Sequence, residues 1–352
     1  MTDVQTPAPA ESRATLATMQ PSAGQLGVIP GLILAFRMAD DGTATPLAVD
    51  RPIDNIHHGW LWLHLDLANV PATKWLEASG LPEAAVAMML SRDKHQQLHA
   101  GGSYLYGVVA DLVRDLHRAI DEVDYLRFIM TERLLVTGRR HSLSSIEATR
   151  SAIACGAARP GHCAALFELI VESVADGVDG IADELANKLD EIDDLVAAGS
   201  ISAARRSLTV VRRTSVRLHR HLAGLRAVLS RLERHGLQAL EPRLQVHASR
   251  LAQRLDELDH IVLEVRERGY RLRDEISDAI SEETNHHLHI LSILTCVLLP
   301  PTLVSGVFGM NIRGMPLTGD NTGFLWVLGL MVGSGLVTYC VLRAIGVLKP
   351  HD

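Results

Sequence analysis

The sequence predicts an α+β protein with an N-terminal α/β domain, long helices, a very long stalk helix and a C-terminal two-helix membrane domain. Three observations support this fold class. Short apolar or alternating runs fill residues 31–140, a pattern typical of strands. Long charged amphipathic segments follow from residue 142. Two uncharged stretches, 290–310 and 324–342, come last. At about 1.5 Å per helical residue, each is long enough to cross a hydrocarbon core of roughly 30 Å.

The composition separates a charged, soluble part from an apolar end. The 352 residues carry a net charge of −7, and 21% of them are charged, yet the C-terminal stretches contain very few. Because phosphate binding needs a basic surface, nucleic acid is excluded as an expected partner. The four cysteines show no CxxC spacing, so neither a disulfide framework nor a thiolate zinc site is predicted. We expect no resident cofactor.

The sequence predicts that the soluble part stays in the cytosol. Residues 1–28 form a polar tail without the apolar core of a secretory signal. The apolar stretches would therefore anchor the chain in the cell (inner) membrane. The loop between them, 311–323, has one basic residue, Arg313, whereas Arg343 and Lys349 follow the second stretch. With the second membrane helix at 324–343, this distribution places both termini, including the tail 344–352, on the cytosolic side.

Residues 29–240 are predicted to be the cytosolic domain, which begins with a mixed sheet. Strands are expected at 32–36, 60–65, 104–110, 125–130 and 134–137. The last two are separated by so few residues that they indicate a hairpin. Helices are expected at 71–79 and 82–91, with Pro82 in a favourable first turn.

Two long charged helices, 168–198 and 203–235, complete this domain on either side of Gly199-Ser200. The first carries the acids Asp183, Glu184, Asp190, Glu191, Asp193 and Asp194. The second carries the bases Arg205, Arg206, Arg212, Arg213, Arg217 and Arg220. We predict that the helices pair antiparallel and neutralise each other, and we prefer this interpretation to a metal-sensing site.

The stalk helix is predicted over 241–289 and runs without a stop into the first membrane stretch, 290–310. Leu251, Leu255 and Leu258 begin an apolar seam with the 3–4 spacing of a buried helix face. A continuous helix of this length would measure roughly 100 Å. Such a rod needs neighbours, and other copies of the chain are the obvious source.

A second face of the same helix carries a mostly polar stripe. Its members are Asp274, Asp278, Ser281, Asn285, Leu288, Thr295 and Thr302. These positions step by threes, fours and sevens, so they share one face. In a symmetric bundle the stripe would line a pore. Alternatively, the two threonines bond back to carbonyls one turn earlier. Spacing alone leaves both interpretations open.

Histidines cluster where the stalk meets the membrane. Imidazole suits zinc and related metals, but His286, His287 and His289 cannot all face one ion because they are spaced i, i+1 and i+3. Either these histidines, repeated in several copies, form a loose ring around an axis, or they are residues at the membrane interface without a ligand role. His64 and Asp66 share one strand face, and no further ligand converges on them.

The end of the first stretch carries a recognisable motif. Gly309-Met310-Asn311 follows Pro300 and Thr302 and precedes a short second stretch. In this position the motif resembles the signature of the CorA family of divalent-cation transporters, and the resemblance covers the whole layout of the chain.

The residues after the motif resemble one branch of that family. The run GMNIRGMP, which ends at Pro316, is similar to the G-x-N-x-x-G-hydrophobic-P pattern of the ZntB-like branch, which is associated with zinc. Magnesium-type members commonly place an acidic residue after this proline, whereas this chain has Leu317.

The resemblance implies a funnel-shaped homopentamer in which the first stretch lines the pore and the second faces lipid. Gly309, Met310 and Asn311 would form the selectivity loop, where Asn311 and the Gly309 carbonyl bind a hydrated cation. The pore positions implied are Asp274, Asn285, Leu288, Thr295, Leu299 and Thr302. Leu288 and Leu299 are candidate apolar gates, and His289 is a candidate metal ligand or proton carrier.

Three classes of function therefore compete. The resemblance favours uptake of Zn²⁺, with proton coupling as an expectation, and leaves Mg²⁺, Co²⁺ or Ni²⁺ as the alternative cargo. A second class is a membrane-anchored helical scaffold without transport. The third is an enzyme, which the sequence disfavours because it contains no P-loop, GxGxxG, HExxH or nucleophile elbow.

Overall fold

The structure is a computed structural model that describes residues 27–54, 58–112, 123–310 and 323–346. It divides into two compact units. The first contains the described residues up to Ala198 together with Arg206–Arg271. The second contains Gly199–Arg205 and the described residues from Leu272 onward.

The first unit contains a mixed sheet, as predicted. Within the described residues its strand order is β2-β1-β3-β7-β6-β5-β4. The strands are β1 Leu32–Met38, β2 Ala44–Pro46, β3 Trp60–Asp66, β4 Gln97–Ala100, β5 Tyr104–Leu112, β6 Val123–Thr131 and β7 Leu134–Arg139. β3 and β7 are parallel, and the other pairs are antiparallel. The predicted hairpin is confirmed, because Met130 of β6 pairs with Leu135 of β7.

The central strand β3 is buried on both faces, which explains its near-continuous apolar sequence. Helices α1 Val70–Ala78 and α2 Glu83–Leu90 contribute to the cluster on one face. There Leu63 shares one core with Leu76 and Met89. Towards the opposite side, Phe128 of β6 contacts Phe167 with ring centroids 4.4 Å apart.

The His64–Asp66 pair is structural. Nδ1 of His64 lies 2.8 Å from Oγ1 of Thr137, and burial lowers the pKa of His64 to about 3. Asp66 accepts a hydrogen bond from the Ala68 amide in the following turn. The imidazole is therefore neutral at physiological pH and does not converge with Asp66 on a ligand.

Within the described ranges, five helices follow the sheet in sequence. They are α3 Ser144–Ala154, α4 Cys163–Ala197, α5 Ile201–His235, α6 Ala248–Phe308 and α7 Gly323–Ala344, with short 3₁₀ turns at Leu237–Ala239 and Pro242–Leu244. Gly199 ends α4 with a φ of +73°, a left-handed conformation that glycine adopts without a Cβ penalty. The tight turn sends α5 back along α4.

The stalk helix, which was predicted to start at 241, begins about two turns later, since α6 starts at Ala248. Pro242 instead opens a 3₁₀ turn, and Leu244 in that turn is fully buried. The carboxylate of Glu168 on α4 then accepts hydrogen bonds from the His247 backbone amide (2.8 Å) and from His247 Nδ1 (2.9 Å). This cap fixes where the long helix starts.

The acids of α4 have partners that the sequence analysis did not predict. Arg268 of α6 lies 2.6 Å from Asp190 and 2.5 Å from Asp193. Arg254 of α6 contacts Asp179 at 3.3 Å. The prediction paired Asp190 and Asp193 with arginines of α5, whereas the structure places both against α6.

A buried carboxylate on β5 should make stability depend on pH. Burial raises the pKa of Asp111 to about 6, although its carboxylate accepts hydrogen bonds from Ser145 and Leu112. The pKa of Asp111 is higher in the folded state than in the unfolded state. Its contribution to the free energy of unfolding is therefore most favourable below about pH 4 and is lost as the pH rises through about 6. The full penalty corresponds to about 3 kcal/mol.

We therefore expect Asp111→Asn to raise the unfolding temperature at pH 8 and to leave it nearly unchanged at pH 4. Thermal unfolding of the purified full-length protein across this range measures the effect. The exposed Asp50 provides the control, since Asp50→Asn should change the unfolding temperature by the same amount at pH 4 and at pH 8. A wild-type stability that rises from pH 4 to pH 8 relative to Asp111→Asn would contradict the assignment.

Candidate functional site

The candidate site lies in the second unit, at the C-terminal end of α6. The helix continues through Pro300 and Pro301 and ends at Phe308. The Gly309 amide donates to the Ser305 carbonyl at 2.9 Å, and the Met310 amide donates to the Val307 carbonyl at 3.3 Å. A Cβ at Gly309 would lie only 3.0 Å from the Ser305 oxygen, so this tight helix end favours glycine. Asn311 lies outside the described residues.

Three of the predicted site residues line one open groove. Leu299, Thr302 and Met310 share it with Leu303, Gly306 and Val307. These last three residues were not predicted, although the 3–4 spacing from Leu299 could have identified them. The groove therefore brings part of the predicted selectivity loop and two predicted pore positions onto the same face of α6.

The second apolar helix packs on the other side of α6. A Cβ at Gly335 of α7 would lie 3.4 Å from Cγ of Pro301 and 3.8 Å from the Val297 carbonyl oxygen. At about 100° per residue, Leu299 lies about 200° around the helix from both Val297 and Pro301. The contact with α7 consequently leaves the Leu299 face uncovered, and Leu299 is 60% exposed.

The two threonines make the local hydrogen bonds that were one of the open interpretations. Thr295 donates to the Leu291 carbonyl at 2.7 Å, and Thr302 donates to the Leu299 carbonyl at 2.8 Å. Both residues are nevertheless exposed. A hydroxyl that donates to its own helix keeps lone pairs that can accept a hydrogen bond from a hydrated ion, so the two interpretations are compatible.

The remaining predicted pore positions and the candidate metal ligand His289 lie further towards the N-terminus on the same helix. Asp274, Asn285, Leu288 and His289 are all exposed, and Asp274 precedes Thr302 by about 42 Å along the axis. Within the described residues, no group of three or more His, Cys, Asp or Glu side chains is placed to hold a metal ion.

Length and composition agree with a membrane location. In the part of the chain that the structure describes, the helices ending at Phe308 and Ala344 are both long and apolar enough to cross a bilayer. Their apolar side chains are exposed, for example Leu303 at 65% and Phe324 at 75%. Such a surface needs lipid or protein to cover it.

Comparison with known proteins assigns this arrangement to a family. Residues 57–343, which are most of the chain, match the family described as CorA-like Mg²⁺ transporter protein. The chain belongs to this family. It is therefore a member of a family of divalent metal transporters, and the resemblance noted at Gly309-Met310-Asn311 is confirmed.

Individual relatives are distant but cover nearly the whole chain. The zinc transport protein ZntB of Cronobacter sakazakii is 24% identical over 322 residues, which span 90% of this chain and 96% of that protein. The structure of the full-length CmaX protein matches with a TM-score of 0.71 at 24% identity and covers 92% of this chain and 99% of CmaX. The CorA magnesium transporter of Methanocaldococcus jannaschii matches with a TM-score of 0.66 at 17% identity, covering 88% and 96%.

These structural likenesses support the fold prediction. The mixed N-terminal α/β part, the long helices and the two C-terminal apolar helices form a CorA-like fold. Family membership also agrees with the expectation of a transporter rather than an enzyme.

Proposed function

We propose that this protein carries Zn²⁺ into the cytosol through an axial pore formed by five copies in the inner membrane. The first apolar helix, the C-terminal part of α6, would line the pore, and α7 would face lipid. Both termini would lie in the cytosol. The cargo would pass the loop Gly309-Met310-Asn311 first and the stalk last.

The observation that carries the pore proposal is the uncovered face of α6. Leu299, Thr302 and Met310 line one groove, and α7 contacts the other side of the helix at Pro301. Polar groups in a membrane span favour a surface of protein or water over lipid. A ring of copies with this face on the axis would turn the remaining lone pairs of the threonine hydroxyls towards water and cover the exposed leucines of the same stripe.

The chemistry of the stripe suits a divalent ion in transit. At the outer mouth, the Asn311 amides and Gly309 carbonyls would bind the hydrated ion through neutral oxygens. Neutral oxygens hold a divalent ion weakly enough for it to be released. Leu299 and Leu288 would act as apolar gates. Asp274 would attract the cation at the cytosolic end, and His289 is our candidate for a metal ligand or proton carrier.

Zinc is favoured as cargo by two observations. The curated relatives from Cronobacter sakazakii and Yersinia enterocolitica are both named zinc transport protein ZntB. In addition, Leu317 stands where magnesium-type members commonly have an acidic residue. Transport of Mg²⁺, Co²⁺ or Ni²⁺ is the second candidate. The description of the family names Mg²⁺ as its cargo, and the chain has the intact motif Gly309-Met310-Asn311.

Uptake into liposomes tests the choice of metal. With the full-length protein reconstituted, we expect Zn²⁺ influx to exceed Mg²⁺ influx by roughly tenfold at equal concentrations, which requires about 1.4 kcal/mol of discrimination. Protein-free liposomes are the control, and an inward proton gradient should accelerate Zn²⁺ influx if protons are coupled. Mg²⁺ influx without Zn²⁺ influx would reject zinc as the cargo.

A further inference from the structure

The helices α4, α5 and α6 pack together in the first unit, with α4 and α5 in a fixed antiparallel register. Val174 and Val178 of α4 line one cavity with Leu218, Leu222 and Leu225 of α5. The centres of these two sets are residues 176 and 222, whose numbers add up to 398. At the other end, Gly269 of α6 faces both Leu189 and Leu208 at 3.9 and 3.7 Å from an added Cβ, and these two numbers add up to 397. Residues whose numbers add up to about 398 therefore lie at similar heights.

An acidic stripe runs along an exposed face of α4 that borders α6. Asp176, Asp183 and Asp190 are exposed and repeat every seven residues, so they share one face with a spacing of about 10.5 Å. This face lies opposite the buried Leu185 and Leu189. The side chains of Asp176 and Asp190 remain 74% and 63% exposed although each reaches an arginine of α6.

A basic stripe with the same repeat runs along the outer face of α5. Arg206, Arg213 and Arg220 are exposed and also repeat every seven residues. They lie opposite the buried Leu208 and Leu222 of the same helix. Between them, Val210 is 55% exposed, so the stripe combines charge with some apolar surface.

The two stripes match in height as well as in spacing. The residue numbers add up to 396 in each of three pairs, which are Asp190 with Arg206, Asp183 with Arg213 and Asp176 with Arg220. This is a constant offset of about two residues, or about 3 Å, from the register of the helix pair. An arginine side chain can span that offset.

We propose that the acidic stripe of α4 binds the basic stripe of α5 on a second copy of this chain. Copies related by rotation about an axis parallel to the helices lie at equal height, so all three pairs can form at once. Because the two stripes are different surfaces, the contact is head-to-tail, and repeating it generates a ring. Such ion pairs set partner choice and register more than raw affinity.

Cross-linking tests this contact independently of transport. In full-length protein whose exposed cysteines Cys155, Cys296 and Cys340 are replaced by serine, we introduce Asp183→Cys together with Arg213→Cys and add a short thiol cross-linker. We expect a ladder that extends beyond the dimer on denaturing gels. The matched control combines Asp183→Cys with Arg212→Cys, because Arg212 is exposed but lies about 100° away around α5. Its ladder should be at least fivefold weaker.

Charge reversal and salt provide the second measurement. Arg206→Glu with Arg220→Glu, added to the cross-linking pair, should suppress the ladder at least fivefold. Adding Asp176→Arg and Asp190→Arg to the same chain should restore it. The intact ladder should also weaken in 1 M salt, where the screening length is about 3 Å. A ladder that stops at the dimer, a control of equal strength, or a ladder unaffected by charge reversal would overturn the proposal.

Discussion

Replacing Asn311 with alanine is expected to reduce metal flux through the reconstituted protein at least tenfold. In the proposed pore, one amide from each copy binds the water shell of the incoming ion. A hydrogen bond to a charged group contributes about 1.5–3 kcal/mol, which corresponds to roughly 10- to 150-fold in affinity. Since the substitution removes the amide from every copy at once, capture of the ion at the outer mouth should fail.

The same loop supplies a matched control. Asn321 lies in the same segment between the two apolar helices and has no role in the proposed site. Asn321→Ala should retain flux within about twofold, while Asn311→Ala loses it with the same amount of protein in the liposomes. Full flux with Asn311→Ala would contradict the pore and would favour a membrane-anchored scaffold. Equal loss in both variants would show that the loop acts through its fold rather than through Asn311.

Removing the Glu168 side chain should cause a large loss of stability in the first unit. The side chain is only 9% exposed, and its carboxylate binds the His247 backbone amide, His247 Nδ1 and Arg250. Glu168→Ala leaves these donors without their acceptor at the start of α6. Loss of a buried, charged hydrogen-bond network costs about 2–4 kcal/mol. We therefore expect the unfolding temperature to fall by roughly 5–15 °C.

Glu172 offers a control with the same partner. It also contacts Arg250, at 2.8 Å, but its side chain is 39% exposed. Solvent screening limits such a pair to about 1 kcal/mol or less, so Glu172→Ala should lower the unfolding temperature by only a few degrees. Thermal unfolding of both full-length variants in the same detergent decides the matter. Equal shifts would show that the Glu168 cap does not hold the start of α6.

Features that depend on local sequence were predicted well. The five strand runs correspond to β1, β3, β5, β6 and β7, because apolar alternation is a property of the strand itself. The short strands β2 and β4 were missed. β2 has three residues and β4 has four, none of them fully buried, so they carry little apolar pattern. These edge strands exist because a neighbouring strand offers free backbone groups.

In the candidate site, too, some features were predicted from the sequence and others were not. Spacing placed Thr302 on the polar stripe, and the family resemblance added Leu299, which the structure places with Thr302 on one groove. The packing of α7 at Gly335 was not predicted, because a glycine in an apolar run gives no sign of which helix it will meet. That contact is what distinguishes the uncovered face of α6 from the covered one.

The sequence by itself determined the five longer strands, the long helices, the two apolar helices and the family to which the motif at Gly309-Met310-Asn311 belongs. Each of these depends on periodicity or on residues adjacent in the chain. Only the tertiary structure decided that Arg268 binds the acids of α4, that Glu168 caps α6 and that Asp111 is buried beside Ser145. These partners are between 34 and 79 residues apart. Many charged residues could satisfy such pairings equally well, so only the packing of the helices and the sheet selects among them.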